Sequence, residues 1–302
     1  MKFLVTGGAG FIGSNIASRL VNDGHEVVIL DDLSLGRQQL KMQKVSFTSG
    51  DVRDRALVES LCKGVDGVFH DAAKSSSPMF SPDPSIGVDV NLRGFMNVVE
   101  AARKYGFPVV YATTSSLYSR CEPPHREDMQ VSPGSFYEYS FYVREEAAKV
   151  YSDLYGLRLV GLRYFSVYGP REDHKGKFAN NITQFIWELK RGVAPAIYGN
   201  GSQQRDFVFV DDVVEANLKA MSSGLKGEVL NVGTGISTTF NEMFSIIKRQ
   251  LGSSLSPKYE PNPIKNYVAR TQADTTRAER LLNFKAKVPL EEGIRRTVES
   301  YR

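Results

Sequence analysis

Thr6-Gly7-Gly8-Ala9-Gly10-Phe11-Ile12-Gly13 is the stretch on which the fold turns. A short apolar strand pattern, Phe3 to Thr6, leads into it, and a helical pattern, Ile12 to Asn22, leads out. Gly7 permits a tight turn without a Cβ clash. Gly10 lets backbone come close to a pyrophosphate, and Gly13 lets the helix pack on the sheet. Phosphates held there would face free N–H groups at the positive end of the helix dipole. Three glycines alone are a weak signal, but here they sit between strand and helix, with an acidic residue about 20 positions on. That residue is Asp31, ending the second strand pattern. Its carboxylate can accept both hydroxyls of an adenine ribose and repels a 2′-phosphate, so NAD is expected over NADP. Arg37 is the nearby charge that works against this preference. Asp51 and Val52, after the third strand, are placed to flank adenine; Phe69, Ala72 and Ala73, at the fourth, offer small or flat surfaces to a cofactor.

Outward from this motif, short apolar runs alternate with helical patterns. Strands are expected at Glu26 to Asp31, Val45 to Ser49, Gly67 to His70, Pro108 to Ala112 and Arg158 to Arg163. Helices are expected at Arg55 to Leu61, Ile86 to Lys104 and Tyr137 to Tyr155. The alternation predicts an α/β fold with a doubly wound parallel sheet whose ligands sit beyond the carboxyl ends of the strands. The second half has shorter strand patterns near Ala196 to Gly199, Asp206 to Val210, Val229 to Val232 and Pro257 to Glu260. Helical patterns at Phe178 to Arg191, Asp211 to Met221, Thr239 to Leu251, Thr275 to Leu282 and Leu290 to Tyr301 separate them. Residues 1–165 are therefore expected to form the NAD-binding domain, rejoined by part of 206–235, and residues 166–302 a smaller α/β substrate-binding region.

Composition narrows the classes. A 41% hydrophobic fraction with 17 Phe and 14 Tyr over 302 residues can fill a sizeable core. No apolar run approaches the roughly 18 residues of a membrane span, and the N-terminal residues leave no room for a signal peptide. Two cysteines, Cys62 and Cys121, are too few for a disulfide framework, so a cytoplasmic location is expected. A net charge of +4 without any basic block suits an anionic small substrate or a merely solvated surface, not nucleic acid. Four scattered histidines show no paired metal-ligand spacing, and no metal is expected.

Further landmarks run the length of the chain: Phe69-His70-Asp71-Ala72-Ala73, Asn91 with Asn97 to Ala102, Tyr111 to Tyr118, Leu162 to Arg171, Arg205 to Asp212, Asn231 to Gly235, and Ala273-Asp274. Together with Gly7 to Gly13 they resemble the extended short-chain dehydrogenase/reductase family, the NAD-dependent nucleotide-sugar epimerases and dehydratases with a Rossmann-like fold. The resemblance implies that a Tyr serves as acid or base, that a Ser or Thr positions the reacting hydroxyl, and that a Lys four residues after the Tyr tunes it. These map to Tyr137, Thr114 and position 141. It also implies cofactor contacts from Phe11, Ile12, Asp32, Ser34, Gly36, Asn91, Thr113, Tyr137, Phe141, Tyr164, Ser166 and Val167.

Position 141 is phenylalanine. A Lys there shares a helix face with the Tyr and lowers a phenol pKa that starts near 10; Phe141 cannot. Arg144, two turns along, lies about 10 Å away by helix rise, too far for direct help. Lys175, in a segment that resembles ADP-heptose 6-epimerases, is a candidate second base. The chain is accordingly expected to be a UDP-glucose/UDP-galactose 4-epimerase-like enzyme, with two alternatives: a heptose-type enzyme using Tyr137 and Lys175, or a weak or silent NAD-binding homologue. A dehydratase is disfavoured, because Ser115 and Ser116 stand where its acid pair belongs.

The same resemblance places the nucleotide sugar against Ser115, Ser166, Lys175, Tyr198 and Arg205, whose planar fork suits phosphate or ribose oxygens. An ion pair of Arg205 with Asp206 or Asp211 is the structural alternative. Arg270 or Lys265 stands in for an arginine that the family pattern carries before Ala273-Asp274. Relatives pair the helices near 86–104 and 137–155, so a homodimer is expected.

Overall fold

A computed structural model describes residues 1–37, 44–81, 83–262 and 268–301; Lys265 lies outside them. In chain order the first half contains β1 (Lys2–Thr6), α1 (Phe11–Asn22), β2 (Glu26–Asp31), β3 (Val45–Ser49), α2 (Arg55–Leu61) and β4 (Gly67–His70). Then come α3 (Pro84–Tyr105), β5 (Val109–Thr114), α4 (Phe136–Tyr155) and β6 (Leu159–Tyr164). The second half adds β7 (Ser166–Tyr168), α5 (Asn181–Lys190), β8 (Ala196–Tyr198), β9 (Gln204–Arg205), β10 (Phe207–Phe209) and α6 (Val210–Ser222). It ends with β11 (Glu228–Val232), β12 (Thr238–Thr239), α7 (Phe240–Leu251), β13 (Lys258–Glu260), α8 (Thr276–Leu282) and α9 (Leu290–Ser300).

Seven strands form one sheet in the order β3-β2-β1-β4-β5-β6-β11, and every pairing in it is parallel. Strands covered on both faces carry near-continuous apolar runs. In β1, Phe3 and Val5 join the core beneath α1, α6 and α8, while Leu4 joins the opposite core beneath α2, α3 and α4. The edge strand β3, with Ser46, Thr48 and Ser49, is only partly covered. The strand order reverses on either side of β1, which opens a crevice at the carboxyl ends of β1 and β4.

Helix ends set the geometry of the site. Ser135 caps α4, its hydroxyl accepting from Glu138 N–H at 3.2 Å, and Gly156 in a left-handed conformation ends it. Asp83 and Pro84 start α3, and left-handed Gly106 stops it. Where a helix was expected from Phe178, the chain first makes a 3-10 turn over Asp173–Phe178; α5 begins only after Asn180 accepts from Ile182 N–H at 3.0 Å. The strand β7 was not foreseen: its three residues pair with β10 rather than extending β6. The remaining apolar residues of the second half pack as α5, α7 and α9 around Phe207 and Phe209. No helix among the described residues is long and apolar enough to cross a membrane.

Candidate active site

A cleft of about 380 Å³ runs along the carboxyl ends of the central strands. At one end lie Gly7, Gly10 to Gly13 and Asp31; at the other lie Thr113 to Ser116, Tyr137 and Phe141. Gly7 adopts φ +70°, and a Cβ there would fall 2.7 Å from Ala72 N. A Cβ on Gly13 would sit 2.3 Å from Gly7 O, so α1 closes on the turn only with glycine at position 13, while glycine at position 7 lets the turn approach the β4 loop. Gly10 begins α1 without a side-chain cap, leaving first-turn N–H groups at the cleft wall for an anion. The carboxylate of Asp31 is fixed by Ala9 N–H at 3.0 Å and Leu33 N–H at 2.8 Å. Burial pushes its pKa up. A glycine turn at a helix N-terminus and a buried carboxylate lining the same cleft fit a bound NAD.

At the far end, Tyr137 O–H donates to Thr114 Oγ1 at 3.0 Å. Thr114 Oγ1 also accepts from Ser116 N–H at 3.1 Å, which fixes its rotamer. The phenol ring stands between Phe80, centroids 5.9 Å apart, and Phe141, 5.2 Å apart, both edge-on. Burial raises the phenol pKa, while bonds to Thr114 and Ser116 and the charge of Arg144 lower it. Asp71 also lines the cleft; burial pushes its carboxyl up to about 7 against an opposing bond from Tyr164. Behind the site, Glu145 accepts from Arg163 at 2.6 and 3.0 Å and from Thr113 Oγ1 at 2.5 Å, tying α4, β6 and β5 together.

The model of the NAD dependent epimerase/dehydratase family matches residues 3–233. The chain belongs to that family. Among family relatives it is 38% identical to the UDP-glucose 4-epimerase of Mycolicibacterium smegmatis, with 100% of this chain and 99% of that protein covered. Its structure superposes with a TM-score of 0.94 on Thermotoga maritima UDP-glucose 4-epimerase with UDP-glucose, at 35% identity and 100% and 99% coverage. The Thermus thermophilus UDP-glucose 4-epimerase complex with NAD gives 0.90, at 34% identity and 100% and 99% coverage.

Most of the predicted contacts of this family member do line the one cleft: Gly7, Gly10 to Gly13, Asp31, Asp32, Ser34, Gly36, Asp51, Val52, Ala72, Ala73, Thr113 to Ser115, Tyr137, Phe141, Tyr164, Ser166, Val167 and Lys175. Others do not. Phe69 is fully buried in the core against Phe3, because its side chain points to the sheet face and not to the strand end. Asn91 is also fully buried and spends its amide on Lys74 N–H at 2.7 Å and Ser140 Oγ at 2.9 Å, so it shapes the loop rather than touching the cleft. Arg37 turns outward to Asp173 at 3.4 Å. Tyr198, Arg205 and Arg270 lie outside this cleft; an isolated β-bridge between Gln204 and Arg270 brings the segment of Arg270 alongside β9, which carries Arg205. Asp206 is occupied by Thr234, Gly235 and Ala273, and Asp211 by Arg296. Sequence reasoning missed Lys74, Phe165, Glu172, His174 and Asn180 as lining residues. Lys74 was within reach of it, being the next residue of the β4 loop after Ala73.

Proposed function

We propose that this chain is an NAD-dependent nucleotide-sugar epimerase that interconverts UDP-glucose and UDP-galactose. The observation that carries it is the Tyr137–Thr114 hydrogen bond at the end of a cleft whose other end holds Asp31 and the glycine turn. Bound NAD supplies reversible hydride acceptance. The chain's residues do the rest. Asp31 would hold the adenine ribose and the start of α1 the pyrophosphate. Thr114 would orient the sugar hydroxyl, and the phenol oxygen of Tyr137 would take its proton and return it. Residues 1–165 with part of 206–235 would serve the cofactor, and 166–302, including Arg205, Tyr198 and Arg270, the nucleotide sugar.

Lys175 fits a different part from that of second base. Its ammonium donates to buried Glu172 at 2.9 Å and lies 5.4 Å from the Phe11 ring centroid, at the phosphate end of the cleft. This supports charge neutralisation there and favours the 4-epimerase over the heptose-type reading. The free thiols of Cys62 and Cys121 support a cytoplasmic location. Exposed Ile86, Phe136 and Tyr139 on α3 and α4 support a homodimer through those helices; Tyr139→Arg should then shift the protein to the monomer mass in light scattering.

Purified protein supplied with NAD and UDP-galactose should form UDP-glucose. Tight NAD binding without any conversion would overturn the reading in favour of a silent homologue.

A further inference from the structure

Helix α4 puts Tyr137, Phe141 and Arg144 on one face, four and three residues apart. Arg144 is fully buried. Its guanidinium carbon lies 4.9 Å from the centroid of the Phe141 ring and 5.5 Å from that of Phe95, so the cation sits between two aromatic rings. Phe141 in turn meets the Tyr137 ring at 5.2 Å and 72°. The hydrogen bonds of Arg144 go to neutral carbonyls: Nε and one terminal nitrogen to Asn91 O at 3.2 and 2.7 Å, the other terminal nitrogen to Ala112 O at 2.9 Å. Of the two neighbouring carboxylates, Glu145 is committed to Arg163 and Thr113, and Asp71 accepts from Tyr164 at 3.4 Å. A buried guanidinium without a bonded carboxylate is costly. Three carbonyl bonds and two aromatic faces hold it in place; burial pushes its pKa down to about 10, against the fields of Tyr111, Asp71 and Glu145, none of which bonds it.

We propose that Arg144 is a positioning residue that acts on Tyr137 through the Phe141 ring, holding beneath the phenol the positive charge that a lysine at position 141 would have carried. Phe141 is then the spacer of a three-part stack. The ring fills the lysine's volume and presents its face to the cation and an edge-on contact to the phenol. The groups facing this pair from the surrounding elements are His70 at the end of β4 and Asp71 just after it, Tyr111 on β5, and Glu138 and Glu145 on α4 itself; α3 contributes the Asn91 carbonyl and the Phe95 ring. Of these only Arg144 carries positive charge toward Tyr137, since burial holds His70 neutral. A unit charge roughly 10 Å from a phenol, at an effective dielectric of about 20, lowers its pKa by about one unit.

The effect on turnover rests on the epimerase reading, but the titration of the phenol does not. Nucleotide-free protein labelled with 13Cζ-tyrosine, with the Tyr137 signal assigned through Tyr137→Phe, gives that titration directly. Arg144→Met should raise the Tyr137 midpoint by about one pH unit, whereas Arg144→Lys should leave it nearly unchanged. Adding Phe141→Lys to Arg144→Met should bring the midpoint back. In turnover, Arg144→Met should move the rising limb of kcat against pH upward by the same amount, with KM for UDP-galactose within about twofold. A folded Arg144→Met protein whose Tyr137 titrates as in the unmutated chain overturns the proposal, as does a Tyr137 that does not titrate below pH 11 in the unmutated chain. If Arg144→Met does not fold, the double variant decides: an unmoved midpoint supports the proposal, and one lowered by a unit or more, as a lysine added where no charge was missing would give, overturns it. Shifted titration in a chain that converts no sugar would leave Arg144's part standing and remove the epimerase reading alone.

Discussion

The phenol of Tyr137, on the first turn of α4, is hydrogen-bonded to Thr114 Oγ1 at the end of β5, 23 residues earlier in the chain. Strand and helix converge there because Thr113 and Arg163 are both bound to Glu145, two turns further along α4. The two groups proposed to carry the proton and to orient the sugar are thus set in place by the fold itself.

Tyr137→Phe removes the proposed proton carrier while keeping the ring between Phe80 and Phe141. Conversion of UDP-galactose should fall about 100- to 10,000-fold, with NAD still bound and the melting temperature within a few degrees. Coupled assay and calorimetry check it; an active Tyr137→Phe enzyme would mean the proton travels by another group.

Gly13→Ala tests the nucleotide turn. The added methyl meets Gly7 O at 2.3 Å, so backbone must move where pyrophosphate is expected. A cost of about 1–3 kcal/mol in stability is expected, together with loss of co-purifying NAD. Urea unfolding and the absorbance of released nucleotide are the measurements.

Asp71 gives a pH dependence of known sign. Burial raises its carboxyl to about 7, against an ordinary value of 3.8. A raised acid contributes stability that is fully present below its unfolded pKa and is lost as pH rises through the folded one. In nucleotide-free protein, Asp71→Asn should therefore gain on the unmutated chain from about pH 4 to about pH 7 and hold a constant advantage above that. The gap corresponds to no more than about 4 kcal/mol. Urea titrations at pH 4.5, 6 and 8 would detect it.

Glu145→Ala leaves Arg163 buried with its two bonds to the carboxylate gone, at 3.0 and 2.6 Å in the intact chain. Breaking one side of such a pair costs about 3–5 kcal/mol. Because Thr113 loses its acceptor too, residual activity should drop along with the melting temperature.

The amino-acid sequence by itself determined the strand–turn–helix motif, the order of the central strands and helices, and the identity of Tyr137, Thr114 and Asp31. The motif, the strands and helices and Asp31 are local, following from periodicity, from glycine where a Cβ has no room and from a carboxylate at a strand end, whereas Tyr137 and Thr114 came from the family resemblance. Tertiary structure alone decided that Phe69 and Asn91 turn into the core, that Ser166–Tyr168 pairs with Phe207–Phe209, and that Lys175 is held by Glu172. It also decided the place of Arg144. Helix rise separates its backbone from Tyr137 by about two turns, yet helical side chains lean toward the N-terminus, and the long arginine folds back against Phe141. Spacing along a chain fixes which residues share a face, whereas how far a flexible side chain reaches depends on the carbonyls and rings that other segments bring to it.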